Sequence, residues 1–208
     1  MKKSSPISTT CIGVLKMPNG KLIMAGDRRM SWGFSQAQKM PGSKVIKRQG
    51  LLLGGTGSCY LLTILSKLCP IPDVIDKLDD EMVETFVHTS LKKEIHDFLV
   101  SQGFGDKDSH LIIPGDLSIE LLIGIRGRLF SVIVENADSD TADARGIIVI
   151  DEVNLPYATG CGGQLAWGAL LESEDSDKTP KERLRRALKA AAEVSPGCDK
   201  NITFVQED

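Results

Sequence analysis

The chain has 208 residues, 41% of them hydrophobic and 25% charged, with a formal net charge of -3. That length supports one domain with a substantial core, and the mildly acidic balance without a large basic face argues against a nucleic-acid partner. No apolar run approaches the roughly 20 residues of a membrane helix and residues 1–8 lack the apolar stretch of a secretory signal, so a cytoplasmic protein is expected.

Residues 1–7 are short, polar and broken by Pro6. They read as a flexible leader with no backbone partner, ahead of a first strand. Two branched apolar runs, residues 8–16 and 21–29, flank Met17-Pro18-Asn19-Gly20 and predict a hairpin. Thr9 and Asp27 then lie at the same end of that hairpin. Residues 30–42 mix Gly, Ser, Gln and Pro and read as a long surface loop.

Residues 44–47 and 51–53 predict a second hairpin around Gln49-Gly50, running into the glycine turn Gly54-Gly55-Thr56-Gly57. Ser58 is an N-cap candidate for a buried helix Cys59–Leu68, stopped by Cys69-Pro70. A longer helix is expected over 80–102, with Met82, Phe86, Ser90, Ile95 and Leu99 on its inner face. Residues 117–125 and 129–134 predict a third hairpin around Arg126-Gly127-Arg128, central to a sheet. Residues 136–143 are acidic and read as an exposed connection, and 147–150 as a short strand.

Tyr157 to Gly163 repeats the strand and glycine-turn design ahead of a helix over 164–172. Thr179 followed by Pro180 predicts a capped helix to Val194, and 201–205 closes the chain as a strand. Strand hairpins interleaved with pairs of helices predict an α+β protein with helices on sheet faces.

Five cysteines, Cys11, Cys59, Cys69, Cys161 and Cys198, are odd in number and carry no CxxC pair, so reduced thiols are expected. His88, His96 and His110 show no metal-ligand spacing. The turn Gly160-Cys161-Gly162-Gly163 lacks the lysine and hydroxyl of a phosphate loop. No cofactor or metal is implied.

Thr9 carries the chemical interest. A threonine hydroxyl is a poor nucleophile, but a freed α-amine on the same residue, with a pKa of about 7.7–8.0, can serve as its base. Only eight residues precede Thr9. A cation beside the hydroxyl would favour the alkoxide and a carboxylate would hold the cation, parts that Lys44 and Asp27 could supply. Taken singly, Lys44 reads as a surface lysine, Asp27 as a salt-bridge partner of Arg28 or Arg29, and Gly54-Gly55 as a tight turn that could present a backbone N–H to an oxyanion.

Together these segments resemble the proteasome β-type N-terminal-threonine hydrolases (Ntn-hydrolases), and within them the HslV-type peptidases. The resemblance rests on Thr9-Thr10-Cys11-Ile12-Gly13-Val14, Ile23-Met24-Ala25-Gly26-Asp27-Arg28-Arg29, Lys44-Val45, the Gly54-Gly55-Thr56-Gly57 turn, and Ala158-Thr159-Gly160-Cys161-Gly162-Gly163 through Leu170-Leu171-Glu172, in the family's order. It implies a four-layer αββα sandwich, a leader over 1–8 and a peptidase domain over 9–208.

By that resemblance Thr9 is the nucleophile, Asp27 and Lys44 the supporting charge pair, and the Gly54 N–H an oxyanion donor. Ser31, with Met30 and Gly55, is expected to meet an extended peptide substrate. Cys161 stands where the family usually has a hydroxyl, Ser195 and Cys198 where it commonly has a carboxylate and a serine, and Ser8 where self-processing members usually have glycine. The implied function is a threonine endopeptidase that forms stacked homo-oligomeric rings, acts on unfolded protein or peptide, and works with an AAA+ ATPase unfoldase. The alternative is an unprocessed, non-catalytic ring subunit.

Overall fold

In the computed structural model, residues 7–8, 11–32, 36–39, 43–73, 77–108, 110–114, 117–135 and 147–208 are described. Thr9, Thr10 and the acidic connection expected over 136–143 lie outside them.

The strands are β1 (Ile7–Ser8), β2 (Cys11–Lys16), β3 (Leu22–Asp27), β4 (Arg29–Trp32), β5 (Gln36–Lys39), β6 (Val45–Arg48), β7 (Leu51–Ser58), β8 (Ile119–Ile125), β9 (Arg128–Glu135), β10 (Ile147–Glu152), β11 (Tyr157–Gly160) and β12 (Ile202–Gln206). The helices are α1 (Cys59–Leu68), α2 (Met82–Phe86), α3 (Lys92–Leu99), α4 (Gly163–Glu172) and α5 (Pro180–Val194). Wide π-type turns, Val87–Leu91 and Val100–Phe104, follow α2 and α3.

Two antiparallel sheets form the centre. One runs β10-β9-β8-β7-β1-β4-β5 with β6 also beside β7, and the other runs β11-β2-β3-β12. β2 and β3 are joined by the expected turn, in which Gly20 takes φ +81° and donates its N–H to the Met17 carbonyl. Alternation along β2 explains the layers. Cys11 and Leu15 face α4 and α5 together with Ile23, Ala25, Leu170, Leu184 and Leu188, while Ile12 and Val14 face Met24, Leu52 and Leu122 between the sheets. A third cluster packs Leu61, Leu65, Val87 and Leu91 against Leu53, Leu121 and Ile123 on the outer face of the larger sheet. Helix, sheet, sheet, helix is the αββα sandwich that the resemblance implied.

Local signals hold at the helix ends. The Ser58 hydroxyl accepts the Leu61 N–H that opens α1. Thr179 and Glu182 form a reciprocal capping box at α5, with Pro180 in its first turn.

Several expectations need correction. Ile7, read as part of an unpaired segment, is paired: it lies opposite Ser31 and Ser58, and Ser8 beside it lies opposite Gly57. Within the stretch read as a loop, Arg29–Trp32 and Gln36–Lys39 form a hairpin. The glycine turn is strand: β7 continues through Gly54 and Gly55 and bends only at Gly57, where φ is +102° and a Cβ would come 2.3 Å from the Ser118 carbonyl oxygen. The helix over 80–102 buries Val83, Phe86, Val87, Leu91, Ile95 and Leu99, leaving Met82 and Ser90 exposed. Its inner residues recur every four positions from Val87 to Leu99, and the wide turn Val87–Leu91 within that span absorbs part of the drift from 3.6.

Candidate active site

Asp27 ends β3, where the strand has been apolar for five of its six residues and both faces are covered. Its side chain is 1% exposed and that of Lys44, at the entry to β6, is 2% exposed. Lys44 Nζ donates to Asp27 Oδ1 at 2.8 Å. This corrects the single-residue readings: the lysine is buried, and the salt bridge of Asp27 is with Lys44.

Two backbone amides complete the carboxylate. The Cys11 N–H reaches Oδ1 at 3.2 Å, and the Asp199 N–H reaches Oδ2 at 2.8 Å. A carboxylate at this depth without partners would cost several kcal/mol, and these three donors reduce that cost. Burial pushes the Asp27 carboxyl above its ordinary 3.8, opposed first by the Lys44 ammonium and then by the two amides.

Gly26 lets β6 approach, because a Cβ there would lie 3.0 Å from Val45 Cγ1 and 3.6 Å from Lys44 Cβ. Gly54, opposite Val45 on β7, is needed by packing for the same reason: a Cβ would lie 2.8 Å from Met24 Sδ. A Cβ on Gly55 would meet Leu62 Cδ2 at 2.3 Å and the Glu120 carbonyl oxygen at 2.7 Å. Beside Lys44, Gly54 and Gly55 opens a cavity of about 30 Å³ floored by Cys59, Leu62 and Thr63.

One edge of β7 is divided between two strands. β6 pairs along Leu51 to Gly54, and β1 pairs at Gly57 and Ser58. Ser8, the residue before Thr9, therefore lies opposite Gly57, while Cys11, two residues after Thr9, donates its amide to Asp27. Ser31, expected to meet a substrate strand, pairs with the chain's own Ile7, and Met30 neighbours it on β4.

Cys161 follows β11, and its Sγ lies 3.6 Å from Cys198 Sγ and 3.6 Å from Ser195 Oγ. The contact with Cys198 and partial burial push the Cys161 thiol far up, and the Cys198 thiol, in hydrogen-bond contact with Cys11, is pushed up to about 11. Arg29 Nη1 donates to the Cys198 carbonyl at 3.4 Å.

Two features were not foreseen. The Asp199 amide reaches Asp27 across 172 positions, and a backbone donor leaves no mark in side-chain identity. Glu120 sits between the sheets, accepting from Ser131 Oγ at 2.9 Å, Tyr157 OH at 2.7 Å and Thr159 Oγ1. Its acidic side chain within the apolar run 119–125 is a signal that sequence reading could have used.

The architecture is a proteasome-β/HslV-like αββα fold. BPH from Thiobacillus denitrificans aligns with a TM-score of 0.64 at 20% identity, over 96% of this chain and 98% of that one, both alone and in complex with epoxomicin. Eukaryotic HslV from Trypanosoma brucei aligns with a TM-score of 0.57 at 16% identity, over 96% and 100%. Anbu, an ancestral beta-subunit from Yersinia bercovieri, gives 0.55 at 13% identity, over 96% and 81%. No family model and no curated protein matches the sequence. Among the described residues no helix is long and apolar enough to cross a membrane.

Proposed function

We propose that the chain is a threonine endopeptidase subunit of a ring-forming, self-compartmentalised protease, with residues 1–8 as a propeptide and 9–208 as the peptidase domain. The observation that carries this reading is the buried Lys44–Asp27 pair, tied by the Cys11 amide to the strand that begins two residues after Thr9. An ammonium held in a dry site favours an alkoxide beside it, and the carboxylate fixes its position without requiring water.

Cleavage between Ser8 and Thr9 frees the Thr9 amine. That amine takes the proton of the Thr9 hydroxyl as Oγ attacks a peptide carbonyl, and the Gly54 N–H meets the oxyanion. Collapse releases the amine product, and water then hydrolyses the ester. The pairing of β1 with Ser31 and Gly57 supports a strand-shaped substrate slot bounded by β4 and β7 and filled by the leader. The cavity beside Lys44, lined by Gly54, Cys59, Leu62 and Thr63, supports a side-chain pocket at the cleavage position. Stacked homo-oligomeric rings, an AAA+ unfoldase partner and a cytoplasmic setting belong to the same proposal. So does the capacity to bind epoxomicin, as BPH does.

One observation favours the alternative of a non-catalytic ring subunit: Ile7 and Ser8 are built into the sheet, with Ser8 preceding the scissile bond. The two readings separate on hydrolysis of short peptides by the purified chain and by Thr9→Ala. The peptidase reading expects about a hundredfold or greater loss in the variant. Equal rates for the two proteins overturn it.

A further inference from the structure

Cys161 and Cys198 are 37 positions apart in sequence, yet their sulfurs stand 3.6 Å apart. Their surroundings differ. Cys161 is exposed at the turn into α4, whereas Cys198 is 3% exposed in the turn ahead of β12. Gly162 makes the approach possible, because a Cβ there would lie 2.5 Å from Cys198 Sγ. A disulfide needs the sulfurs to close by about 1.5 Å, and both residues sit on turns that can supply that shift.

We propose that Cys161 and Cys198 form a reversible oxidation site, in which a hydroperoxide converts the dithiol to a disulfide bridging the two turns beside Asp27. The Cys161 thiolate attacks the outer peroxide oxygen, breaking the O–O bond and releasing an alcohol, or water where the oxidant is hydrogen peroxide. The Cys161 sulfenic acid so formed is attacked by the Cys198 sulfur, which expels water as the S–S bond forms. Two thiols are oxidised and one peroxide is reduced. The exposed thiol suits the first step and the buried one the second. The protonated resting state of both thiols makes the reaction slow, suited to sustained exposure rather than to peroxide scavenging.

The bridge would act on the charge pair over a short path. The residue after Cys198 gives its amide to Asp27 Oδ2 at 2.8 Å, and the Cys198 carbonyl accepts from Arg29. Drawing Cys198 toward Cys161 moves that amide. The effect on hydrolysis rests on the peptidase reading above; the oxidation site itself does not.

The test is to treat the purified full chain with hydrogen peroxide, block remaining thiols with iodoacetamide, digest without reductant and map the peptides. The expected product joins the Cys161 and Cys198 peptides at a mass two hydrogens below their sum, is reversed by dithiothreitol, and is absent from Cys161→Ser and from Cys198→Ser. A wild-type chain that links Cys11 to Cys198 instead, or that keeps both Cys161 and Cys198 alkylatable at every peroxide dose, overturns the proposal. Because this readout needs no activity, it stands apart from any failure of the peptidase reading. In active protein, linkage should lower peptide hydrolysis about tenfold or more, with recovery on reduction. Complete linkage at an unchanged rate overturns the coupling to Asp27.

Discussion

Lys44 Nζ lies 2.8 Å from Asp27 Oδ1, with both side chains withdrawn from solvent. The pair joins the entry of β6 to the end of β3, two elements in different sheets. It is structural as well as electrostatic, so its removal has separable consequences for folding and for chemistry.

Breaking the pair from one side strands a charge. Lys44→Met should lower the unfolding free energy by about 3–5 kcal/mol, because Asp27 is left buried with only its two amide donors. The double variant Lys44→Met with Asp27→Asn should recover part of that loss, since no ion remains to desolvate. Urea unfolding of the two single variants and the double variant gives the coupling directly.

The same carboxylate sets a pH dependence. Its folded-state pKa is raised above 3.8 by burial, so the native chain keeps a proton that the unfolded chain has already lost. Native protein then binds more protons than unfolded protein, and this group's contribution to stability falls as pH rises from 3.8 through the folded value. In Lys44→Met the window widens. The ratio of its urea midpoint at about pH 7 to that at about pH 4 should be smaller than the ratio for wild type.

Gly54→Ala tests packing beneath the proposed oxyanion donor. The new methyl would lie 2.8 Å from Met24 Sδ and 3.0 Å from Val45 Cγ1, inside the core between the sheets. Overpacking should cost about 1–3 kcal/mol in thermal or urea unfolding. Gly20→Ala meets nothing within 4 Å but is strained at φ +81°, so it gauges the cost of backbone strain without overpacking.

The cysteines should separate by reactivity. Burial and the neighbouring Glu94 push the Cys69 thiol up to about 12, leaving roughly one thiolate in ten thousand at pH 8. Cys69 should stay unmodified by iodoacetamide in native protein and react fully in urea. Peptide mapping checks both states.

The parts legible in sequence are those written in local chemistry. The Asn19-Gly20, Gln49-Gly50 and Arg126-Gly127 turns announce their hairpins, and Ser58 and Thr179 announce helix starts through hydroxyls that accept backbone N–H groups. The β4–β5 hairpin is hidden because it is built from polar residues such as Gln36 and Gln38, which show no apolar alternation. A two-residue strand such as β1 exists only because β4 and β7 leave a slot for it. At the candidate site, the types and order of Asp27, Lys44 and Gly54 are readable, whereas the Cys161–Cys198 approach and the Asp199 amide arise from tertiary folding across many positions.

The central claim concerns one bond, between Ser8 and Thr9, and the intact mass of the protein purified from its expressing cells tests it most directly. The account predicts a mature chain whose mass begins at Thr9, with the leader retained in Thr9→Ala. A wild-type mass that keeps Ser8 under every condition of assembly would contradict it.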